Sequence, residues 1–288
     1  MPGIFVDCDA RSLTTVPDVN VPRDARTFAL TYNQLTAIGD EAFSTLFRLI
    51  TLRLQHNAIS RLGPRAFVGL NRITTLAFLR HTPGLANLRM AYNNIQRIDW
   101  EPADQHEGLR SIDLSYNRLA VLENFTGMSV LQSLILSHNR IRTVLAGAFN
   151  GSFNVQIRII DLSKNSIRTI PCLAFVKAVH VVEINLENNR IDFIGQSAFV
   201  NQSHFTLRLG NNQLVSLRPS SSLPLLSRNV YFDPNPWRCD CEAVALVGWL
   251  QRSGVQRVYC SSPAIFRNRS AYTWIEREYR HSGPDTAP

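Results

Sequence analysis

The chain has 288 residues, 45% of them hydrophobic and 18% charged, which places it with folded proteins and excludes the disordered class. No run approaches the ~18 consecutive apolar residues of a membrane span, so no membrane insertion of this segment is expected. The formal net charge of +8 is carried almost wholly by arginine, with Lys164 and Lys177 the two lysines. Guanidinium groups favour bidentate contact with carboxylate, sulfate or phosphate, although an Arg-rich solvated face needs no such partner.

Apolar residues alternate with polar ones in short bursts, the pattern of a strand with one buried face. In chain order the bursts are Phe28-Leu30, Leu52-Leu54, Leu88-Met90, Ile112-Leu114, Leu134-Leu136, Ile160-Leu162, Ile184-Leu186, Leu207-Leu209 and Val230-Phe232. Each is followed at a fixed distance by an asparagine: Asn33, Asn57, Asn93, Asn117, Asn139, Asn165, Asn189, Asn212 and Asn235. Successive gaps are 24, 36, 24, 22, 26, 24, 23 and 23 residues. The segment Leu49-Ile-Thr-Leu52-Arg-Leu54-Gln-His-Asn57-Ala-Ile59 fits L-x-x-L-x-L-x-x-N-x-L at every fixed position. Nine copies at a near-constant period identify a leucine-rich-repeat solenoid. The expected fold is α/β: a right-handed β-α superhelix, curved as a horseshoe, with a parallel sheet on its concave side.

The asparagine amide has two donors and an acceptor, enough to satisfy backbone groups of neighbouring coils once it turns inward. Half a period away, Ala42-Phe43, Ala66-Phe67, Ala148-Phe149, Ala174-Phe175 and Ala198-Phe199 predict an apolar spine on the convex side. The 36-residue gap is irregular. Within it Ile73-Leu76-Phe78-His81 mimics the template with His81 in place of Asn. Either a repeat is partly lost there, through a gene-model defect for example, or Leu79–Gly84 is an inserted loop of the kind that binds ligands.

A solenoid must cover its open ends. Asn235-Pro-Trp-Arg-Cys239-Asp-Cys241, then Trp249-Leu250 and Cys260-Ser-Ser-Pro263, resemble the cysteine-rich C-terminal cap of extracellular leucine-rich-repeat proteins. The resemblance implies a Cys239–Cys260 disulfide. It also leaves Cys241 without its usual partner, since Arg280 and His281 stand where the fourth cysteine belongs. Val6-Asp7-Cys8 through Val16-Pro17 look like the tail of the matching N-terminal cap. Expected divisions are a cap remnant over 1–24, repeats over 25–232, the C-terminal cap over 233–281 and a flexible tail over 282–288. No signal peptide precedes the first repeat-like residues, so a secreted product implies a fragment, a trimmed chain or an incomplete gene model. Cys172, alone in a repeat, is expected to be a buried core thiol.

No phosphate-binding loop, nucleophile elbow or clustered histidine with carboxylates is present, so no enzyme is expected. C-x-C with one distant cysteine is not a zinc spacing, and neither metal nor cofactor is expected. Asn124, Asn150, Asn201 and Asn268 head N-x-S/T sequons that fit a glycosylated secretory protein. The concave face is expected to present Arg and aromatic residues in its N-terminal half and carboxylates at Asp113, Asp161, Glu183 and Glu187 further on. A protein ligand is expected on Arg53, His56, Arg89, Tyr92, Asp113 and Tyr116, residue types enriched at interaction hot spots. A row at Arg61, Arg97, Arg142 and Arg168 offers sulfated glycan or phosphate a second surface, or is simply solvated; nucleic acid is not expected. Family resemblance extends to Toll-like receptor, Slit-type, chondroadherin-like and variable-lymphocyte-receptor ectodomains. It implies an extracellular or cell-surface recognition module, with a glycosaminoglycan-binding matrix protein or an intracellular scaffold as alternatives.

Overall fold

The computed structural model describes residues 4–17, 21–63, 65–67, 70, 85–98, 109–122, 130–145, 149, 156–199, 205–217, 229–240, 246, 250 and 258–271. Its strands, in chain order, are β1 (Ile4–Asp7), β2 (Ala25–Ala29), β3 (Ala37–Ile38), β4 (Thr51–Arg53), β5 (Arg61–Leu62), β6 (Asn87–Arg89) and β7 (Ser111–Asp113). They continue with β8 (Ser133–Ile135), β9 (Ile159–Asp161), β10 (Thr169–Ile170), β11 (Glu183–Asn185), β12 (Phe193–Ile194), β13 (Thr206–Arg208) and β14 (Val230–Tyr231). Ten of these form one sheet, β1-β2-β4-β6-β7-β8-β9-β11-β13-β14, every adjacent pair parallel. All nine expected strands are present. The tenth, β1, was not legible as a strand in the sequence. It extends the sheet at the N-terminal end by pairing with β2.

The return arms wind through turns, as at 40–45 and 172–177, with little helix among the described residues. Short side pairings, β3 with β5 and β10 with β12, tie successive coils together on one flank.

The asparagine ladder does what amide chemistry allows. Asn139 accepts the Leu119 N–H at 2.9 Å and donates to the Leu114 carbonyl of the preceding coil at 2.9 Å and to its own Leu136 at 3.0 Å. The same set recurs at Asn117, Asn165, Asn189 and Asn212. Each side chain thereby pairs backbone groups that no strand reaches.

Across the irregular gap β4 pairs directly with β6, Arg53 opposite Arg89. Asn93 accepts from Ile59 N–H and donates to the Leu54 carbonyl, so the ladder steps from Asn57 to Asn93 without an intermediate rung. The 36 residues therefore complete one coil. His81 and the expected loop at 79–84 lie outside the described residues.

On the convex side Phe43 stacks on Phe67 at 6.3 Å, and Phe149, Phe175 and Phe199 stack at 5.1 and 5.3 Å. The spine is core, as its spacing implied, for these rings are buried.

At the C-terminal end Cys239 and Cys260 are disulfide-bonded with Cα atoms 5.7 Å apart, beside the fully buried Trp237. Cys241 lies outside the described residues. Cys172 corrects the expectation of a buried thiol: it is free and exposed. Ile170, Ala174 and Phe175 take the inward positions of this coil. Cys172 falls on the turn between them, where its backbone abuts Gly195 so closely that a Cβ there would lie 2.4 Å from Cys172 N.

The carboxyl of Asp233 anchors the cap, accepting from Trp237 Nε1 at 3.1 Å and from Tyr259 N–H at 3.0 Å. Desolvation outweighs those two donors and raises its pKa from 3.8 to about 6. A carboxyl raised on folding binds its proton more tightly in the native state. Its contribution is therefore fully present below the unfolded value and lost as pH rises through the folded one. The thermal midpoint is expected to fall by a few degrees between about pH 4 and about pH 7 relative to Asp233→Asn, whose profile lacks this component. Parallel profiles for the two proteins would contradict it.

Candidate functional site

At three of the strands, β7, β9 and β11, a side-chain hydrogen bond closes the end. Asp113 Oδ1 accepts from Ser115 N–H and Oγ at 3.0 and 2.7 Å, Asp161 from Ser163 N–H at 2.9 Å, and Asn185 from Glu187 N–H at 3.1 Å. The next residue but two then takes a left-handed backbone, so that the following Asn swings inward. Tyr32, His56, Tyr92, Tyr116, His138, Lys164, Asn188 and Asn211 all have φ between 53° and 58°. Left-handed backbone costs a non-glycine residue roughly 1–2 kcal/mol. The cost is offset because each N–H donates to the next coil, as Tyr92 does to Ser115 and Tyr116 does to Ser137, both at 3.0 Å.

Identical backbone geometry at successive coils puts the side chains face to face. Tyr32 and His56 stack at 4.3 Å and 5°, His56 and Tyr92 at 4.5 Å and 13°, Tyr92 and Tyr116 at 4.1 Å and 10°, Tyr116 and His138 at 3.8 Å and 14°. Five rings thus form an unbroken rail along the edge of the concave sheet. Its tyrosines remain exposed, at 63% for Tyr32, 44% for Tyr92 and 39% for Tyr116, so the rail belongs to the surface and not to the core. The inner ring faces are spent on one another, and between its ends the rail presents edges, hydroxyls and imidazole nitrogens. The hydrogen bond with Tyr116, followed by desolvation, raises the Tyr92 hydroxyl above its ordinary pKa. Desolvation foremost, and then Lys164, lower that of His138, which keeps the imidazole neutral near pH 7.

The six expected ligand residues come together. Arg53, Arg89 and Asp113 are opposite one another on β4, β6 and β7, while His56, Tyr92 and Tyr116 are consecutive members of the rail. Their roles differ. Arg89 is exposed, Arg53 lies with its guanidinium 5.8 Å over the Phe5 ring, and Asp113 is engaged in its own turn. Arg53 Nε and Gln55 Oε1 are buried without hydrogen-bond partners. Two further members of the acidic band are similarly committed: Asp161 closes a turn, and Glu183 pairs with Arg208 at 2.7 Å. Tyr32 and His138 extend the rail at both ends, on the strength of occupying the same column before the Asn. The column was visible in the sequence, but ring-on-ring contact depends on the left-handed backbone, which was not.

Arg61, Arg97, Arg142 and Arg168 are all exposed on the flank. Among the described residues no cluster of His, Cys, Asp and Glu suits a metal, and no helix is long and apolar enough to cross a membrane. Asn268 is exposed on the cap; Asn124, Asn150 and Asn201 lie outside the described residues.

The family profile described as "Leucine rich repeat" matches residues 24–82, 83–141, 108–156 and 129–191, together more than half of the chain. Leucine-rich repeat-containing G-protein coupled receptor 5 of Rattus norvegicus is 30% identical over 178 residues, 56% of this chain and 19% of the receptor. Trophoblast glycoprotein of Macaca fascicularis is 28% identical over 223 residues, 67% of this chain and 53% of that protein. The chain thus spans about half or less of the length of these relatives. The crystal structure of human 5T4, the trophoblast glycoprotein, superposes with a TM-score of 0.61 at 23% identity, covering 92% of this chain and 91% of that one, a likeness of fold. A parallel sheet stepped by an asparagine ladder, repeats matched across most of their span and a disulfide-closed end make this chain a member of the leucine-rich-repeat family.

Proposed function

We propose that the chain is an extracellular or cell-surface recognition module that binds a protein ligand along its aromatic rail, without catalysis. The observation that supports this most is the rail itself. Aromatic side chains held by stacking supply contact area at low entropic cost on binding, and surface tyrosine beside arginine is the composition of interaction hot spots. Arg89 supplies an exposed charge next to Tyr92, Arg53 and His56 extend the contact toward the N-terminus, and Tyr116 with Asp113 closes it. The Cys239–Cys260 disulfide supports an oxidising compartment over an intracellular scaffold.

The test is a screen of the chain against an array of secreted and membrane-protein ectodomains. A protein binder is expected, and Arg89→Ala with Tyr92→Ala should weaken it by at least about a hundredfold, the scale of two hot-spot residues. Unchanged affinity in that double variant discards this face.

A further inference from the structure

Two open grooves share residues, and one of them runs along the rail. One, of about 580 Å³, is lined by Tyr92, Tyr116, His138, Lys164, Arg118 and Arg140. The other, of about 700 Å³, lies on the flank and is lined by Arg97, Ala120, Val121, Arg142 and again Arg118 and Arg140. Arg118 and Arg140 each follow a ladder asparagine, at equivalent positions on neighbouring coils. They form the sill between the two grooves.

The flank groove is built by three successive coils. Arg118 N–H donates to the Ile95 carbonyl at 2.8 Å, and Arg142 N–H donates to the Ala120 carbonyl at 3.2 Å, so the Arg97, Ala120–Val121 and Arg142 segments lie side by side. Val121 bridges Thr143 in parallel. The floor is therefore apolar, with Val121 43% exposed, and arginine stands on both sides of it. Among the described residues no carboxylate pairs with Arg118, Arg140 or Arg142.

From this charge arrangement we propose that the bound partner presents an acidic, amphipathic peptide segment, which leaves the rail over the Arg118–Arg140 sill and lies in the flank groove. Its carboxylates meet the guanidinium forks and an apolar side chain sits on Ala120 and Val121. Bidentate carboxylate pairing and a small apolar floor suit a peptide. This inference rests on the protein-binding reading above and deepens it.

The probe is a short fluorescent peptide alternating glutamate and leucine, with its glutamine counterpart and a heparin oligosaccharide as comparators, measured by anisotropy. The glutamate peptide is expected to bind, the glutamine peptide to fail, and Arg118→Glu with Arg140→Glu to weaken binding by at least about tenfold. Arg158→Glu with Arg190→Glu carries the same charge change away from the grooves and should leave affinity within about twofold. Unchanged circular dichroism of both variants excludes misfolding. Equal loss in the two double variants, or no binding of the glutamate peptide, overturns the proposal. So does a dependence on Arg118 and Arg140 that heparin shows and the peptide does not, which assigns the groove to sulfated glycan. If the peptide dependence fails while a protein partner is still lost in Arg89→Ala with Tyr92→Ala, only the groove assignment falls. If it holds in a chain that captures no protein through the rail, the protein-binding reading falls instead.

Discussion

Asn139→Ala is expected to destabilise the chain by about 3–5 kcal/mol. The side chain joins four backbone groups on two coils: Leu119 N–H and the Leu114 carbonyl of the preceding coil, and the carbonyls of Leu136 and Ser137 of its own. Alanine leaves Leu119 N–H and the Leu114 carbonyl buried and unpaired, at about 1–3 kcal/mol each. The contrast within the ladder makes the prediction specific. Asn57 bonds the same types of group but is only half-buried, so water replaces part of what alanine removes. Asn57→Ala should cost about half as much as Asn139→Ala. Equilibrium denaturation of both variants measures this, and equal losses would mean that burial does not set the worth of a rung.

Phe175→Ala should cost a similar about 3–5 kcal/mol, by cavity formation in a core that cannot collapse around it. Its ring is fully buried between Phe149 and Phe199, so the void opens at the middle of the convex spine. Phe67 stands at the margin, 8% exposed, with Phe43 its stacking partner at 6.3 Å, and its truncation should cost less. A solenoid is held by nearest-neighbour interfaces, so a central cavity also uncouples the two ends. Phe175→Ala is expected to unfold in two resolved transitions where the parent shows one. A single unbroken transition with a loss below about 1 kcal/mol would place the spine outside the energetic core.

The sheet was legible because its signals are local. A period of two fixes which residues point inward, and an asparagine at a constant offset marks where the chain turns. The disulfide followed from the cap's resemblance. What the sequence withheld depends on how coils sit against one another. The rail exists because Tyr92 and Tyr116 share a left-handed backbone on coils one strand apart, and no residue type announces positive φ at tyrosine. The flank groove joins residues one, three and four positions after different asparagines, so columns read one at a time keep Arg118 apart from Arg97 and Arg142. The turn that Asp113 closes with Ser115 is likewise visible only in three dimensions. Cys172 was misplaced because hydrophobicity says nothing of a turn between two inward residues.

The central claim, that a protein partner lies on the aromatic rail, is tested most directly by photo-crosslinking from benzoylphenylalanine placed at Tyr116 or at Val179, an exposed residue away from the rail. With partner present, crosslinks to protein are expected from Tyr116 and not from Val179. Crosslinks from Val179 alone, with binding intact in both variants, would contradict it.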